Sequence, residues 1–518
     1  MSAKRASAKG PTTEIELKLL GDRKDLADFA SSPAIAQYAR DAGTHTDLIA
    51  TYYDTADRAL RKSGAVLRVR TDGKRSVMTL KSSLAKGNGL ARTEQTAPVQ
   101  SMEPDLAALS QFLSPETFAK LEDTPLEPVF KTDVRRFTRM LDTPLGTVEL
   151  AVDRGRIVAG ERSQDINEIE LELMDGSIAA IFQLAQELTS HAALRPSIRS
   201  KAARGFDLAL DDPPQVTKAP KLKFDDDATL DQALCAILRS MLQHQMENQP
   251  AAEDGRDPEG LHQYRVALRR LRSVLGLMRS IAPSSQLDTL RDDAKWLMSS
   301  LNEARDWDVF ITETLPAIAQ ACPAVDSFDV LKSAAQERRR KAHDTARAAI
   351  ANPRSGRFQI ALGLWVEQAQ WRAGAAPEAL RVLAAPGRPF ASEVMEKFRR
   401  NALKRGRRFT KLSPEERHEL RIALKKLRYA SELFLPLFKN NKSKRRYAKT
   451  LASLQDHLGR ANDMSVMEEL VQRLMKGKLS APGHRAAGAL LGWKAGSLNR
   501  DDPELLSAWK HFQGADLP

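Results

Sequence analysis

The sequence predicts an α+β protein of more than one domain, with an antiparallel β-rich domain followed by an all-helical domain. Residues 12–210 contain segments in which apolar and polar residues alternate, separated by Gly, Asp and Asn, and this is typical of strands joined by turns. Beyond residue 227, apolar residues recur with the 3.6-residue period of amphipathic helices. A chain of 518 residues is too long for one ordinary core, so we expect this change of period to separate domains.

Composition indicates where these domains end. Residues 1–11 are basic and small and lack the apolar core of a secretory signal, which predicts a flexible tail. Residues 211–226 combine Pro with charge and show no periodicity, which predicts a linker. We expect the helical domain to extend over residues 227–512.

The charge balance favours an anionic partner. Lys and Arg number 80 and Asp and Glu 67, giving a net charge of +13, which suits nucleic acid, a membrane surface or a phosphate polymer. The two cysteines fit neither a disulfide framework nor a cysteine metal site, so a reducing cytoplasm is expected. No uncharged apolar run approaches the roughly 20 residues of a membrane span, and we expect a soluble protein without a membrane partner.

The strand-like segments carry charge on one face and large aliphatic residues on the other. This holds for "EIELKL" at 14–19, for "EIELEL" at 168–173, and for Arg68 and Arg70 in "LRVR". One such strand alone is compatible with a half-solvated sheet, but three like charges on one face repel unless a cation joins them. If the aliphatic residues pack outward against helices, a closed barrel with a charged lumen results. Divalent metals would match its carboxylates, and a polyanion would match its basic residues.

These segments resemble the CYTH superfamily, also called triphosphate tunnel metalloenzymes. "EIELKL" is similar to the ExExK signature of that family, and the other elements follow in the family's order over residues 12–208. They are "LRVR", "MTLK", "ARTE", "VELAVDRG", "EIELEL" and "SKAARGF". The resemblance implies an eight-stranded antiparallel tunnel with flanking helices, which binds a triphosphate and two divalent cations, Mg²⁺ or Mn²⁺.

The resemblance also implies roles for individual residues. The implied phosphate-binding set is Lys18, Arg68, Arg70, Lys81, Arg92, Arg136 and Lys201. The implied metal-binding set is Glu14, Glu16, Glu149, Asp153, Glu168 and Glu170, and the implied catalytic residues are Glu14, Glu16 and Lys18. Arginine can clamp phosphate oxygens with two donors, whereas a carboxylate faces phosphate only across a metal. Glu94 and Glu172 stay open as ligands or salt-bridge partners, and a one-residue slip would exchange Arg136 for Arg135.

The helical half contains an internal repeat. "HQYRVALRRLRSVLGLM" at 262–278 matches "HELRIALKKLRYASELF" at 418–434, and "LNEARDWDV" at 301–309 matches "LGRANDMSV" at 458–466. Because both pairs have nearly the same offset, a duplicated helical unit is indicated. We expect two bundles packed as one domain, over about residues 227–375 and 388–512.

Each repeat has a helix with one basic face. On a helix, His262, Arg265, Arg269 and Arg272 share one narrow sector, and the second repeat has a similar face. Like charges at this spacing repel, so a bound anion would stabilise them, although a solvated basic face is the alternative. Recurrence of the face in both repeats favours phosphate binding.

These segments resemble the CHAD domain, a conserved histidine α-helical domain, over about residues 227–510. The resemblance implies two four-helix bundles with a basic groove that binds inorganic polyphosphate. The implied polyphosphate-binding residues are His262, Arg265, Arg269, Arg270, Arg272, His418, Arg421, Lys425, Lys426 and Arg428.

The order CYTH then CHAD resembles that of bacterial inorganic triphosphatases. It implies metal-dependent hydrolysis of triphosphate to phosphate and pyrophosphate, in the cytoplasm or at polyphosphate granules. One alternative is a non-catalytic polyphosphate-binding or granule-associated protein, and another is a tunnel enzyme for an organic triphosphate. Nucleic-acid binding is disfavoured because only Tyr264 and Tyr429 accompany the basic faces. Oligomeric state and the preferred metal stay open.

Overall fold

The computed structural model describes residues 9–24, 26, 33–83, 91–113, 118, 124–325, 327–439, 442–477, 479–498, 503–515 and 517, without the side chains of 9–13, 34, 82–83, 91–93, 414, 455–456, 458–464 and 494–498. The chain forms two compact units. The first comprises Met1–Val216 and Ala351–Gln368, and the second Thr217–Ile350 and Ala369–Pro518. The first unit is built on an antiparallel sheet with helices and the second is helical, which confirms the predicted fold class.

One segment belongs to a different unit from the one predicted. The sequence places residues 351–368 in the first helical half, whereas the structure includes them in the first unit. There the helix Pro353–Glu367 packs against the helix Ala179–His191. Gly363 permits this close approach, because a Cβ atom at that position would overlap the ring of Phe182. Periodicity identifies the helix but cannot indicate which core its apolar face joins.

The first unit contains a nine-stranded antiparallel sheet. Its strands are β1 Lys9–Leu20, β2 Thr44–Asp54, β3 Ala65–Thr71, β4 Ser76–Ser83, β5 Ala91–Val99, β6 Glu127–Thr143, β7 Gly146–Ala159, β8 Arg162–Gly176 and β9 Arg195–Ser197. Its helices are Pro33–Ala36, Ala59–Lys62, Leu106–Leu109, Ala179–His191, Lys201–Leu210 and Pro353–Glu367.

Eight of the strands close into a barrel. The strand order is β5-β4-β3-β2-β6-β7-β8-β1-β9, and β1 also pairs with β5. The first half of β1 pairs with β5 and its second half with β8, so β1 joins the two edges. The ninth strand, which was not predicted, has three residues and pairs with the end of β1.

The helix Lys201–Leu210, here called the plug helix, fills one end of the barrel. It begins after Ser200, whose hydroxyl accepts a hydrogen bond from the Ala203 amide, and it contacts β6, β7 and β8. Its Phe206 ring packs edge-on against Phe130, with ring centroids 5.3 Å apart. These residues join a buried cluster with Ile157 and other lumen-facing apolar side chains. The lumen is therefore charged along part of its length and apolar at the plug, whereas the sequence predicted a charged lumen without an apolar end.

The second unit is built of helices. Their bounds are Leu230–Asp254, Pro258–Met278, Ser285–Ser300, Asn302–Val309, Leu315–Ala321, Phe328–Ala351, Pro377–Ala384, Gly387–Arg405, Pro414–Phe434, Lys442–Met475, Ala481–Leu498 and Pro503–Gln513. Short π and 3₁₀ turns are Phe310–Thr314, Gln370–Arg372, Phe409–Lys411 and Leu435–Leu437. No helix in the described part of the chain is long and apolar enough to cross a membrane.

The two repeated segments form helices of equal length. The first basic helix is Pro258–Met278 and the second is Pro414–Phe434, each 21 residues long with Pro in its first turn. Asp257 accepts a hydrogen bond from the Glu259 amide before the first, and Ser413 forms a capping box with Glu416 before the second. Both helices bury a leucine stripe and leave the basic residues on the other side.

Candidate active site

The barrel lumen contains a cavity of about 400 Å³ lined by charged side chains. Most residues of the two sequence-predicted sets line it, namely Glu14, Glu16, Lys18, Arg68, Arg70, Lys81, Arg136, Glu149, Asp153, Glu170 and Lys201. Glu94 and Glu172, whose role the sequence left open, also line it. Arg92 pairs with Glu14 in the β1–β5 register, but its side chain lies outside the described residues.

Three carboxylates converge near the plug helix, and we call them the inner cluster: Asp153, Glu168 and Glu170. Each offers an oxygen within 4.8 Å of the others, so the group could hold a metal ion. In the structure, the ammonium group of Lys201 lies among them, at 2.5 Å from Asp153, 2.5 Å from Glu168 and 3.0 Å from Glu170. Lys201 is the first residue of the plug helix, which explains why it reaches this point.

Three further cations contact the inner cluster. Arg136 on β6 forms a two-pronged contact with Asp153 and also contacts Glu170, Lys18 lies 2.5 Å from Glu170, and Arg204 contacts Glu168. Burial raises the pKa of Glu170, but Lys18, Lys201 and Arg136 outweigh this and hold that pKa well below its ordinary value. Three carboxylates thus face four cations, and this matching makes their burial tolerable.

Glu168 differs from the other predicted ligands. It is fully buried, does not line the cavity, and is held by Lys201 and Arg204. Sequence reasoning missed Arg204, although it follows Lys201 by three residues and so lies on the same face of the plug helix.

A second set of carboxylates forms one row across three strands, and we call it the outer row: Glu16, Glu172 and Glu149. The register pairs Glu16 on β1 with Glu172 on β8, and Glu172 with Glu149 on β7. Burial raises the pKa of Glu172, and the charges of Glu149 and Glu16 raise it further. Lys18 contacts Glu16 at 2.7 Å, but like charges directly opposite each other destabilise a sheet, so a further bound cation would stabilise this row.

Glu14 and Glu94 form a carboxyl pair beside Lys81. The Lys81 ammonium lies 2.9 Å from Glu14 and 2.6 Å from Glu94. Burial and the hydrogen bond from Glu14 to Glu94 raise the pKa of Glu14 to about 7. The pKa of Glu94 is lowered, because the Glu14 hydrogen bond, Lys81 and Arg68 together outweigh its burial. The two carboxyls therefore share one proton near neutral pH.

The β3 wall of the cavity carries a pair of arginines, Arg68 and Arg70. The charge of Arg68, followed by burial and by Arg136, lowers the pKa of Arg70 to about 10. Arg68 has a carboxylate at 3.5 Å, that of Glu94. This part of the lumen is therefore strongly electropositive and suits an anion with several charges.

In the second unit, the first basic helix lines a groove of about 800 Å³, here called the basic groove. Its lining includes Arg265, Arg269 and Arg272, together with the cations Arg279, Arg291 and Lys295 and the acids Asp288 and Asp292. Arg265 donates to Asn302 at 2.7 Å, and burial lowers its pKa to about 10.

Two predicted residues of this helix lie elsewhere. His262 does not line the basic groove, and burial together with Arg305 lowers its pKa. Arg270 points toward the second basic helix, where it lies 3.4 Å from Glu432.

The predicted residues of the second repeat do not line the basic groove. Among the described residues of the second basic helix, the groove contains Tyr429, whose ring lies 5.5 Å from the Arg269 guanidinium. Arg428 is engaged by Glu432 at 2.6 Å, and His418 and Lys426 are exposed. Arg421 and Lys425 are half-buried on the same helix. The basic residues of the second repeat therefore do not occupy positions in this groove that correspond to those of the first repeat.

A barrel with a charged lumen followed by basic helices corresponds to two known families. Residues 12–206 match the family model of the CYTH domain, and residues 236–472 match that of the CHAD domain. The chain therefore contains a CYTH domain followed by a CHAD domain.

Known proteins resemble each part. Over 157 residues the chain is 34% identical to the inorganic triphosphatase of Haemophilus influenzae, which covers 30% of this chain and 44% of that protein. The chain thus spans less than half the length of this curated relative. The crystal structure of the CHAD domain from the plant Ricinus communis is 32% identical with a TM-score of 0.51, covering 59% of this chain and 98% of that one.

Proposed function

We propose that the first unit is a metal-dependent triphosphatase that hydrolyses inorganic triphosphate to phosphate and pyrophosphate. The observation that carries this proposal is that one small cavity contains both an arginine pair and a row of carboxylates. The arginine pair lies on β3, while the outer row lies on β1, β7 and β8. The similarity to an inorganic triphosphatase supports the same substrate.

The arginine pair and the lysines are suited to bind the phosphate chain. Arg68 and Arg70 present planar donors to the lumen, and Lys81 adds an ammonium group beside them. Lys18, Arg136 and Lys201 contact inner carboxylates in the structure. A polyanion would compete with these carboxylates for the three cations, so substrate binding is expected to exchange ion pairs.

The carboxylates fit a hard divalent cation. An all-oxygen donor set suits Mg²⁺ or Mn²⁺, and such a cation, when bound, would neutralise phosphate oxygens and lower the pKa of a water. Among the described residues the inner cluster is the group that brings three carboxylate oxygens within 4.8 Å, but it already contacts four cations. The outer row is less neutralised, because its contact with a cation is that of Glu16 with Lys18 at 2.7 Å, and we assign the metal to this row. Glu16, Glu149 and Glu172 would therefore hold the metal, and Glu168 would position Lys201 and Arg204.

The lining gives no support to an organic triphosphate as substrate. Tyr52 is the one aromatic side chain among the described lining residues. It is 3% exposed and stacks on Phe130, with ring centroids 4.4 Å apart. That ring is thus already packed on one face, which leaves little surface for stacking a base.

Phosphate release from triphosphate by site variants tests the proposal. We expect Arg70→Ala to lower kcat/KM by about a hundredfold, because it removes a donor to developing charge in a partly buried site. Glu16→Gln should lower activity and weaken the dependence on metal. Arg156→Ala, an exposed arginine on the outer face of the same barrel, is the matched control and should keep full activity. Full activity of Arg70→Ala or Glu16→Gln would refute the site assignment.

We also infer that the basic groove binds inorganic polyphosphate. The groove places six cations against two acids, and Arg265 and Arg269 are part of the face that the sequence predicted. Location at polyphosphate granules would follow from such binding. Polyphosphate binding by the full chain should fall by about tenfold or more in Arg265→Ala with Arg269→Ala, since two charge contacts are lost. Arg381→Ala, a highly exposed arginine, should bind normally, and unchanged binding by the double variant would contradict the inference.

A further inference from the structure

The segment that begins the second unit is attached to its helices at the N-terminal end. This covering segment, residues 217–226, contains no helix or strand up to Asp225. The buried Asn248 side chain accepts from the Thr217 amide at 3.0 Å and donates to the Thr217 carbonyl at 2.9 Å. His244, also buried, has its Nε2 at 2.9 Å from the same carbonyl. Two buried side chains thus hold the backbone of one residue.

The other end of the covering segment is also attached. Arg388 donates to Asp226 at 2.6 Å, and the Lys439 ammonium lies 3.4 Å from the same carboxylate. Just beyond it, Thr229 forms a backbone bridge with Pro386. The segment is therefore held to the helical unit at both of its ends.

A cavity of about 700 Å³ lies beneath the covering segment. Its floor is aliphatic and includes Ile237 and Met241 of the helix Leu230–Asp254, with Leu437 opposite. The covering segment adds Leu222 and Phe224. The volume lies in the range of pockets that take small organic ligands.

The rim of this cavity is basic. Lys221, Lys223, Arg270, Lys439 and Lys444 line it, against the two acids Asp226 and Glu432. Both acids are already engaged, Asp226 by Arg388 and by Lys439 of the rim, and Glu432 by Arg428 and by Arg270 of the rim. Burial lowers the pKa of Lys444, which an anion beside it would reverse.

We propose that this cavity binds a small amphiphilic anion, with an aliphatic body on the floor and a phosphate or carboxylate head at the basic rim. The aliphatic floor argues against inorganic polyphosphate, which has no apolar part. It also argues against a nucleotide, because Ser240 is the one hydroxyl side chain among the described lining residues and His244 is bonded to Thr217. The site is separate from the basic groove, with which it shares no lining residue in the described chain.

Calorimetric titration of the full chain tests this proposal. Decyl phosphate and decanoate, each below its micelle-forming concentration, are the probes for the two head groups, with decanol and inorganic phosphate as half-molecules. We expect one molecule of the better anionic probe to bind per chain, at least about tenfold more tightly than either half-molecule. The tighter of the two anionic probes identifies the head group.

Two variants locate the binding. Ser240→Phe should fill the cavity from its partly exposed wall, and Lys221→Glu with Lys223→Glu should reverse the rim charge, each weakening binding by about tenfold or more. Lys332→Glu with Lys341→Glu changes two exposed lysines of another helix and should have no effect. The lysine pairs are exposed, so these variants should fold, which circular dichroism would verify.

Three results would overturn the proposal. The first is no binding of either anionic probe. The second is equal binding by wild type and by both site variants, which would indicate unspecific partition. The third is that inorganic triphosphate displaces the bound probe as effectively as an excess of the probe does. This would show that the apolar floor contributes nothing to binding.

Discussion

Lys201 is the residue on which the charge balance of the lumen depends most. Its ammonium contacts all three carboxylates of the inner cluster, and these carboxylates together with burial determine its pKa. Burial lowers that pKa, but Glu168, Glu170 and Asp153 outweigh this and raise it. Lys201 therefore stays charged, and it stabilises this end of the barrel.

Replacing Lys201 with methionine should destabilise the first unit. The change removes the one cation that contacts all three inner carboxylates and leaves Lys18, Arg136 and Arg204 to match them, and loss of one partner from a buried ion pair typically costs about 3 to 5 kcal/mol. The pKa of Glu170 is lower in the folded state than its unfolded value of about 4.3. Glu170 therefore contributes stability at pH values above about 4.3, and this contribution is lost as the pH falls through the folded pKa. The deficit in urea unfolding should therefore be large at neutral pH and smaller in acid. Lys62→Met, at an exposed ion pair, is the control, and an equal loss there would contradict the account.

The Glu14–Glu94 pair predicts an unusual titration. A glutamate carboxyl should titrate near pH 7, since burial and Glu94 raise the pKa of Glu14 to about 7. Because this folded pKa exceeds the unfolded one, the stability that it contributes is present in acid and is lost as pH rises through about 7. In Glu94→Gln the pKa of Glu14 should be lower, because a negatively charged neighbour is removed. Carbon NMR of the side-chain carboxyls measures it, and Glu149→Gln should leave it in place. An unchanged titration in Glu94→Gln would refute the shared proton.

At the scale of elements, the plug helix determines where the charged lumen ends. Gly205 is required there, because a Cβ atom would overlap the Phe130 ring. Gly205→Ala should lower stability by about 1 to 3 kcal/mol through overpacking. Gly276→Ala is the matched control, because a Cβ atom at that position would have no atom within 4 Å beyond its chain neighbours and its own helix backbone, and because alanine favours the helical conformation. Thermal unfolding should separate the two, and a harmless Gly205→Ala would show that the contact is not tight.

The strands show how far the sequence could predict the site. Alternation along β1 identifies Glu14, Glu16 and Lys18 as one face, because the two-residue period is fixed by strand geometry. It does not show that Glu168 is covered while Glu170 faces the cavity, since both share one face of β8. That difference depends on where the plug helix docks, which is a tertiary contact that no local pattern contains.

The basic helices show the same limit. The helical period correctly places Arg265, Arg269 and Arg272 together, because positions i, i+4 and i+7 share a face. The repeat predicted an equivalent role for the second basic helix, which contributes Tyr429 to the groove in the described chain. Duplicated sequence preserves the helix and its buried leucine stripe, but it does not fix which neighbour each copy meets.

For the whole molecule, the excess of positive charge is divided among distinct sites. The arginine pair belongs to the first unit, and the basic groove and the cavity beneath the covering segment belong to the second. Composition predicted an anionic partner, but a net charge of +13 could not show that the cations form separate sites with different linings. Of these three sites, as far as the described residues show, the cavity beneath the covering segment has the most apolar lining.

The central claim is that the lumen is built to hydrolyse inorganic triphosphate. Its most direct test is the rate of phosphate release by the full chain from triphosphate, pyrophosphate and ATP, with Mg²⁺ and with Mn²⁺. We predict that triphosphate is cleaved fastest, with one phosphate and one pyrophosphate formed per molecule and with no turnover after chelation of the metal. Turnover of ATP as fast as triphosphate, or no turnover of triphosphate with either metal, would contradict the claim.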